Sequence, residues 1–138
     1  CLGDDEQETF PVTETVHREE ILRETVSPAR ASPAVRERAR EVTRDVLAVM
    51  EGRGVYGVEL FERADGVVLV NEVAPRPHNS GHWTIEGCHT SQFEQHLRAV
   101  LGLPLGTTDR RAPTASANLL GDCETRRTAR LAGVAAAL

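Results

Sequence analysis

The chain has 138 residues, and all 16 of its basic residues are arginine, whereas its 21 acidic residues give a formal net charge of −5. Its length fits one domain, and 40% hydrophobic with 27% charged residues is typical of a globular protein rather than a disordered one. The negative charge argues against a nucleic-acid-binding module. The lack of lysine excludes any mechanism in which this chain itself supplies a lysine to a phosphate or a Schiff base.

The cysteine count and the search for targeting patterns restrict the class of protein further. Three widely spaced cysteines, Cys1, Cys88 and Cys123, do not form a disulfide framework, so we expect free thiols in a cytoplasmic protein. No apolar run approaches the ~18 residues of a membrane span, so we expect no membrane association, and no signal-peptide pattern is visible. The chain lacks an initiating Met, and residues 131–138 form a helical pattern without a stop signal. We therefore expect a piece of a longer protein.

The first half of the chain predicts a strand, a loop and a helix. Residues 9–16 alternate and are rich in β-formers, which favours a strand, although Pro11 weakens it locally. Residues 26–33 form a proline-containing loop. Ser32-Pro33 supplies an N-cap and a first helical residue. Apolar residues then recur at helical spacing and predict one buried stripe: Val35, Ala39, Val42, Val46, Val49 and Met50. Arginines and acids on the other side predict a solvated face with ion pairs, and Gly52 and Gly54 end the helix.

The second half predicts a hairpin followed by two short helices. Runs of β-formers over residues 55–63 and 67–73 flank Asp65-Gly66, a dipeptide favoured in two-residue hairpin loops. Helices are predicted over residues 80–88 and 91–101, the second opened by the capping box Ser91-Gln-Phe-Glu. A loop over residues 103–114 then leads to a strand near Ala115. These elements predict an α+β fold, a mainly antiparallel sheet with packed helices.

Two carboxylates are predicted to face each other across the hairpin. If the loop is Asp65-Gly66, counting outward places Glu59 opposite Glu72, with Cβ atoms about 4.5–5.5 Å apart. Like charges so placed among apolar residues repel each other strongly. A shared proton or a bound cation would offset the repulsion, and two converging carboxylates suit Mg²⁺, which often binds substrate phosphates. Alternatively, both side chains point to solvent, or the register slips.

The segment after the second strand has the features of an anion site. Flanking prolines fix the path of Arg76, whose planar guanidinium suits carboxylate, bicarbonate or phosphate. Asn79 or Ser80 is a good N-cap, and Gly81 would leave first-turn N–H groups open to an anion. Arg76, His78 and Asn79 would converge on that anion.

Two other interpretations of this segment stay open. One is a zinc site formed from His78, His82, Cys88, His89 and His96, although no CxxC or HExxH pattern supports it. The other is a rigid structural connection anchored in the core by Trp83.

The stretch Asn71-Glu-Val-Ala-Pro-Arg-Pro-His-Asn-Ser-Gly-His-Trp-Thr84, continuing to Gly106, closely resembles the N5-carboxyaminoimidazole ribonucleotide synthase family, which are ATP-grasp ligases of purine biosynthesis. Weaker similarity to other family segments occurs over residues 15–17, 21–22, 54–61 and 118–122. The resemblance implies the C-terminal subdomain of an ATP-grasp fold. It divides the chain into residues 1–114, the back half of the ATP-grasp domain, and residues 115–138, the truncated start of a C-terminal domain.

The resemblance also implies roles for single residues. Glu59 and Glu72 match the two Mg²⁺ ligands that bridge the ATP phosphates, and Glu72 thereby also contributes to cofactor binding. His17 and Asn71 resemble nucleotide contacts. Arg76 and His78 are the implied catalytic residues, and together with Asn79 they match the stretch that lines the site for bicarbonate and 5-aminoimidazole ribonucleotide.

The implied reaction converts ATP, bicarbonate and 5-aminoimidazole ribonucleotide into ADP, phosphate and the N5-carbamate, through carboxyphosphate. The family's N-terminal domain, lysine-bearing ATP subdomain and C-terminal domain are missing here, so we expect this chain alone to be inactive. Full-length family members are typically homodimers. Two alternatives are a formate-dependent glycinamide ribonucleotide transformylase, which fits residues 82–96 less well, and a non-catalytic structural module.

Overall fold

The computed structural model describes residues 1–3 and 6–121, and it has the predicted α+β composition. Its elements in chain order are β1 Glu14–Arg18, β2 Ile21–Ser27, α1 Pro33–Ala48, β3 Gly57–Glu62, β4 Val68–Ala74, a 3₁₀ turn Asn79–Gly81, α2 Thr84–Gly87, α3 Gln92–Val100 and β5 Thr114–Ala117. None of the helices in these ranges has the length and hydropathy needed to cross a membrane.

The strands form two antiparallel sheets, one with the order β1-β2-β5 and one consisting of the hairpin β3-β4. The strand predicted over residues 9–16 is only partly confirmed, because β1 begins at Glu14. Pro11 has no N–H to donate to a ladder, and the Val12 carbonyl is bonded by the Ala29 N–H at 2.8 Å, outside the sheet. The strand predicted near Ala115 is confirmed as β5.

The division of the chain after residue 114 stays a prediction. β5 pairs with β2 from Thr114 opposite Ser27 to Ala117 opposite Glu24, so residues 115–117 lie in the same sheet as β1. Within the predicted second domain, residues 122–138 lie outside the described residues.

Helix α1 begins as predicted, with the Ser32 hydroxyl accepting a hydrogen bond from the Val35 N–H at 3.3 Å. Its outer face carries the predicted ion pairs, formed by Arg38 with Glu41 and by Arg40 and Arg44 with Glu37. The buried stripe is only partly as predicted. Ala39 is buried, but so is Leu47, whereas Val49 is 80% exposed because the helix ends at Ala48 and Val49 is its C-cap.

The helix predicted over residues 80–88 is wrong in extent. The segment instead makes the 3₁₀ turn Asn79–Gly81 and then the four-residue helix α2. Trp83, between them, is 3% exposed and anchors the segment in the core. The next helix agrees with its prediction, since Ser91 caps α3 by accepting from the Glu94 N–H at 3.2 Å. The core around these elements also includes Leu22, Leu47, Val55, Cys88 and Ala99.

Candidate functional site

Glu59 and Glu72 are opposed in the ladder between β3 and β4, as predicted, but not for the predicted reason. The hairpin loop has three residues, 64–66, because the Arg63 N–H bonds the Val67 carbonyl at 2.9 Å and Gly66 has a φ of 81°. Such a loop alone would pair Glu59 with Asn71. A bulge between Glu59 and Leu60 shifts the register by one residue and restores the opposition of Glu59 and Glu72.

Asn71 is the extra residue of this bulge. It lies between Glu72, the partner of Glu59, and Val70, the partner of Leu60. At a bulge two residues oppose one, so neighbours in sequence can serve the same face. The Asn71 Nδ2 donates to the Glu59 Oε2 at 3.2 Å. The bulge therefore places Asn71 on the Glu59 carboxylate while Glu72 stays the ladder partner of Glu59.

His78 approaches the other oxygen of Glu59. Its Nε2 lies 3.6 Å from the Glu59 Oε1, and the two side chains are 13% and 24% exposed. The His78 Nδ1 accepts from the Ser80 N–H at 3.4 Å and lies 2.8 Å from the Ser80 hydroxyl. An acceptor Nδ1 places the proton of a neutral imidazole on Nε2, so the ring presents an N–H toward Glu59.

The same contacts correct the predicted anion site at a helix start. His78, not Asn79 or Ser80, is the N-cap of the 3₁₀ turn, and its imidazole binds the Ser80 N–H. The Gly81 N–H donates to the His78 carbonyl at 3.0 Å. The two amides expected to receive an anion are thus already paired, because the ring of His78 folds back over the turn.

Gln92 and Gly57 hold His78 in place, and neither residue had a role predicted from the sequence. The Gln92 side chain accepts from the His78 N–H at 2.9 Å and donates to the His78 carbonyl at 2.8 Å. A Cβ on Gly57 would lie 2.6 Å from the His78 Cβ, so only glycine lets β3 approach so closely. The only sequence signal was the position of Gln92 directly after the Ser91 cap, which does not report a contact 14 residues away in sequence.

A cavity of about 620 Å³ adjoins these residues, bounded by β1, α1, β3 and residues 78–84. His17, Glu59 and His78 line it, so the predicted nucleotide contact His17 shares a cavity wall with Glu59 and His78 but not with Glu72. Arg76 and Asn79 do not line it. Both are exposed, and the Arg76 Nη1 donates to the Pro77 carbonyl at 3.1 Å. The structure therefore brings Glu59, Glu72, Asn71 and His78 together, and we call these four residues the acid cluster. Arg76 and Asn79 instead lie along the segment that leaves β4.

Three residues of the zinc interpretation, His82, Cys88 and His96, lie in separate environments. The His96 Nδ1 accepts from the Val55 N–H at 3.1 Å, and His82 stacks on Phe93 with ring centroids 5.7 Å apart. Cys88 is a buried free thiol, as is Cys1, and burial raises the pKa of the Cys88 thiol to about 11. Across residues 1–3 and 6–121, no three His, Cys, Asp or Glu side chains converge to hold a metal.

The acid cluster does fit magnesium. Mg²⁺ takes oxygen ligands and is commonly bound by one or two carboxylates, while water and substrate phosphates complete its coordination. Glu59 and Glu72 supply two carboxylates from adjacent strands, and Glu72 is exposed to incoming ligands. The Asn71 amide fixes one oxygen of Glu59, as partners of metal-binding carboxylates commonly do.

Comparison with known proteins agrees with this geometry. The profile of the ATP-grasp domain matches residues 3–93, which include β1, β2, the whole hairpin β3-β4 and His78. The chain belongs to the ATP-grasp family. The matched range ends at the residue after Gln92, so the acid cluster and the contacts that hold it all lie within the ATP-grasp match.

The curated relatives that the chain matches are much longer than the chain itself. It is 48% identical over 114 residues to N5-carboxyaminoimidazole ribonucleotide synthase of Bacillus subtilis, covering 83% of this chain and 30% of that protein. It is 54% identical over 114 residues to the enzyme of the same name from Mycobacterium leprae, covering 81% of this chain and 26% of that protein. The chain therefore spans less than a third of the length of these relatives.

Solved structures show the same relationship. The Aspergillus clavatus N5-carboxyaminoimidazole synthase in complex with ADP and 5-aminoimidazole ribonucleotide superposes with a TM-score of 0.83 at 42% identity, covering 86% of this chain and 33% of that one. N5-carboxyaminoimidazole ribonucleotide synthetase from Thermus thermophilus gives a TM-score of 0.76 at 47% identity, covering 83% and 32%. These similarities confirm the predicted ATP-grasp fold and the resemblance to this ligase family.

Proposed function

We propose that the intact protein, meaning the whole reading frame that contains this chain, carboxylates 5-aminoimidazole ribonucleotide with bicarbonate at the expense of ATP. The products are ADP, phosphate and N5-carboxyaminoimidazole ribonucleotide. The observation that carries the proposal is the opposition of Glu59 and Glu72 at a bulge, with Asn71 and His78 on the two oxygens of Glu59. The similarity to synthases of this name supports the choice of substrate.

In this proposal Glu59 and Glu72 hold Mg²⁺ against the ATP phosphates, and His17 and Asn71 contribute to the nucleotide side of the site. When bound, Mg²⁺ supplies positive charge that lowers the repulsion between the phosphates and an incoming nucleophile. The chain's own part is orientation. Asn71 fixes one oxygen of Glu59, and His78 lies at the other, so this carboxylate is held before any ligand arrives.

The acceptor side is proposed to comprise Arg76, His78 and Asn79. Arg76 follows β4 between two prolines and is exposed, and a guanidinium binds planar anions such as bicarbonate through paired N–H groups. His78 joins the two sides, because its ring reaches Glu59 while its neighbours in sequence carry the acceptor contacts. Holding bicarbonate, phosphate and amine in line contributes to the rate, because oriented reactants react as if they were parts of one molecule.

The remaining parts of the proposal concern the whole protein. We propose that residues 1–114 are the back half of the ATP-grasp domain and residues 115–138 the start of the next domain. The intact protein is proposed to be a cytoplasmic homodimer, and the free buried thiols of Cys1 and Cys88 suit a reducing compartment. The chain alone is proposed to be inactive, because it has no lysine for the phosphates.

The test is ADP release by the purified intact protein. With Mg²⁺, ATP and bicarbonate present, we expect ADP formation to depend on added 5-aminoimidazole ribonucleotide, and ¹³C-bicarbonate to appear in the product. The same protein given formate and glycinamide ribonucleotide should release no ADP above background. Turnover with formate instead would favour the transformylase, and no turnover with either substrate pair would favour a non-catalytic module. Substrate-dependent ADP release by the isolated chain would contradict its proposed inactivity.

A further inference from the structure

Gln92 holds both backbone polar groups of His78. Its side-chain amide accepts from the His78 N–H at 2.9 Å and donates to the His78 carbonyl at 2.8 Å, as a partner strand would. Gln92 is only 3% exposed, and its own N–H donates to the Thr84 hydroxyl at 2.9 Å. Both the backbone and the side chain of this glutamine are thereby fixed, so a change in its position would also move the His78 backbone.

Two glycines make this contact possible. A Cβ on Gly81 would lie 2.5 Å from the Gln92 Oε1, and a Cβ on Gly57 would lie 2.6 Å from the His78 Cβ. His78 is therefore held between the backbone of β3 on one side and the amide of Gln92 on the other. Because Gly57 and Glu59 are two residues apart on one strand, they share a face, and His78 packed on Gly57 meets Glu59.

We infer that Gln92 is a positioning residue for the reaction, one that acts through His78. The inference deepens the proposed function, on which it rests, since it assigns to Gln92 the placement of the imidazole that joins the metal side to the acceptor side. Gln92 itself touches neither Glu59 nor Glu72 among the contacts of the described residues. Its effect on turnover should therefore act through the segment that carries His78, and mainly through the His78 imidazole.

The chain supplies a matched control in Gln95, one turn further along α3. Gln95 is 0% exposed and makes the same pair of bonds to a different residue: it donates to the Gly106 carbonyl at 2.7 Å and accepts from the Gly106 N–H at 2.8 Å. Replacing either glutamine by Met removes two hydrogen bonds from a buried site while keeping the length of the side chain. Only the Gln92 change should affect the candidate site.

The experiment compares Gln92→Met and Gln95→Met in the intact protein with Mg²⁺, ATP, bicarbonate and 5-aminoimidazole ribonucleotide. We expect Gln92→Met to lower kcat about 100-fold with KM for ATP changed less than about threefold, since misplacing one reacting group by about 1 Å has this effect. Gln95→Met should leave kcat within about threefold of the parent. Equal kcat values for the two variants would overturn the inference.

A double variant separates positioning from general loss of structure. In a His78→Ala background, adding Gln92→Met should change kcat by less than about threefold, because residues that act through one another are not additive. If the two changes multiply instead, Gln92 acts independently of His78 and the inference is wrong. Should Gln92→Met not fold, Gln92→Glu serves in its place. That variant keeps an acceptor for the His78 N–H but loses the donor to the His78 carbonyl, and should lower kcat about tenfold.

Amide hydrogen exchange tests the inference without reference to the reaction. Gln92→Met should speed exchange in residues 76–80 at least about tenfold, and Gln95→Met should do so in residues 104–108 only. A parent protein that does not consume bicarbonate would refute the proposed function but leave this readout intact. Unchanged exchange in residues 76–80 of Gln92→Met would refute the positioning role whatever the reaction is.

Discussion

Each of the two hairpins of this chain has a bulge in its second strand, but the extra residue makes different contacts in each. In each, the second strand carries one extra residue beside a predicted site residue of the first strand: Arg23 beside His17 in β1-β2, and Asn71 beside Glu59 in β3-β4. The Asn71 amide binds the Glu59 carboxylate. Arg23 instead binds the segment after β5, since its carbonyl accepts from the Asn118 N–H at 2.8 Å. A bulge alone therefore does not identify a site, and the contacts of its extra residue do.

The turns of the two hairpins also differ. The β3-β4 turn places Gly66 at its left-handed position, with a φ of 81°. The β1-β2 turn has two residues, Glu19 and Glu20, with φ values of 53° and 62°. A two-residue turn with both φ values positive normally carries Asn-Gly, because a side chain costs energy there. The hairpin with the proposed metal ligands thus has the relaxed turn, and the other carries the strain.

The largest effect should come from Glu72, the exposed member of the acid pair. Glu72→Gln in the intact protein removes one of two charges proposed to hold Mg²⁺, and we expect ADP formation to fall roughly 10³-fold, because such a metal supplies several kcal/mol of charge stabilisation. The matched control is Glu86→Gln, an exposed carboxylate on α2. Steady-state ADP release measures both. Equal activity of the two variants would contradict a catalytic role for the β3-β4 hairpin.

The next effect compares the two extra residues directly. Asn71→Ala takes the amide from Glu59, so we expect the Mg²⁺ concentration for half-maximal turnover to rise about 10- to 100-fold, as for other residues that orient metal ligands. Arg23→Met, the corresponding change in β1-β2, should leave it unaltered. Mg²⁺ titration of turnover distinguishes them. A comparable shift in both variants would mean that the bulges stabilise the fold in the same way.

A smaller effect on stability is expected at Gly57, where β3 meets His78. Gly57→Ala would force a Cβ to within 2.6 Å of the His78 Cβ, and overpacking of this kind costs about 1–3 kcal/mol. Thermal unfolding of the intact protein should show the loss, together with reduced turnover. In the control Gly66→Ala the added Cβ meets no atom within 4 Å, so only backbone strain is added and turnover should persist. Normal turnover in Gly57→Ala would show that the reaction does not depend on the packing of His78 against the backbone of β3.

The smallest effect concerns the strained turn. Glu20→Gly removes a side chain from a position with a φ of 62° and should raise the unfolding free energy by about 1 kcal/mol. Glu20→Gln removes the charge but keeps the strain, so we expect no gain from it. Urea unfolding of the intact protein measures the difference. An equal gain in both variants would assign the effect to charge instead of backbone strain.

Local patterns predicted what depends on neighbours in sequence. Ser32 and Ser91 were predicted as N-caps because capping joins residues three apart, and both caps are present. The predicted helix over residues 80–88 was wrong in extent because the turn is capped by the imidazole of His78, an uncommon cap. The backbone of this cap is bonded by Gln92, which is distant in sequence. The acid pair was predicted correctly although the loop was one residue longer than expected, since the bulge at Asn71 compensates.

The sequence by itself determined which chemical groups are present: two acids on the strands of one hairpin, followed by an arginine and a histidine in a stretch specific enough to indicate a ligase family. Only the tertiary structure decided which groups meet. It placed Asn71 and His78 on the two oxygens of Glu59, moved the cap to His78, and made Gln92 and Gly57 the residues that hold it. These contacts join residues 12 to 21 positions apart through backbone approach and buried amides, which no periodicity in the sequence records.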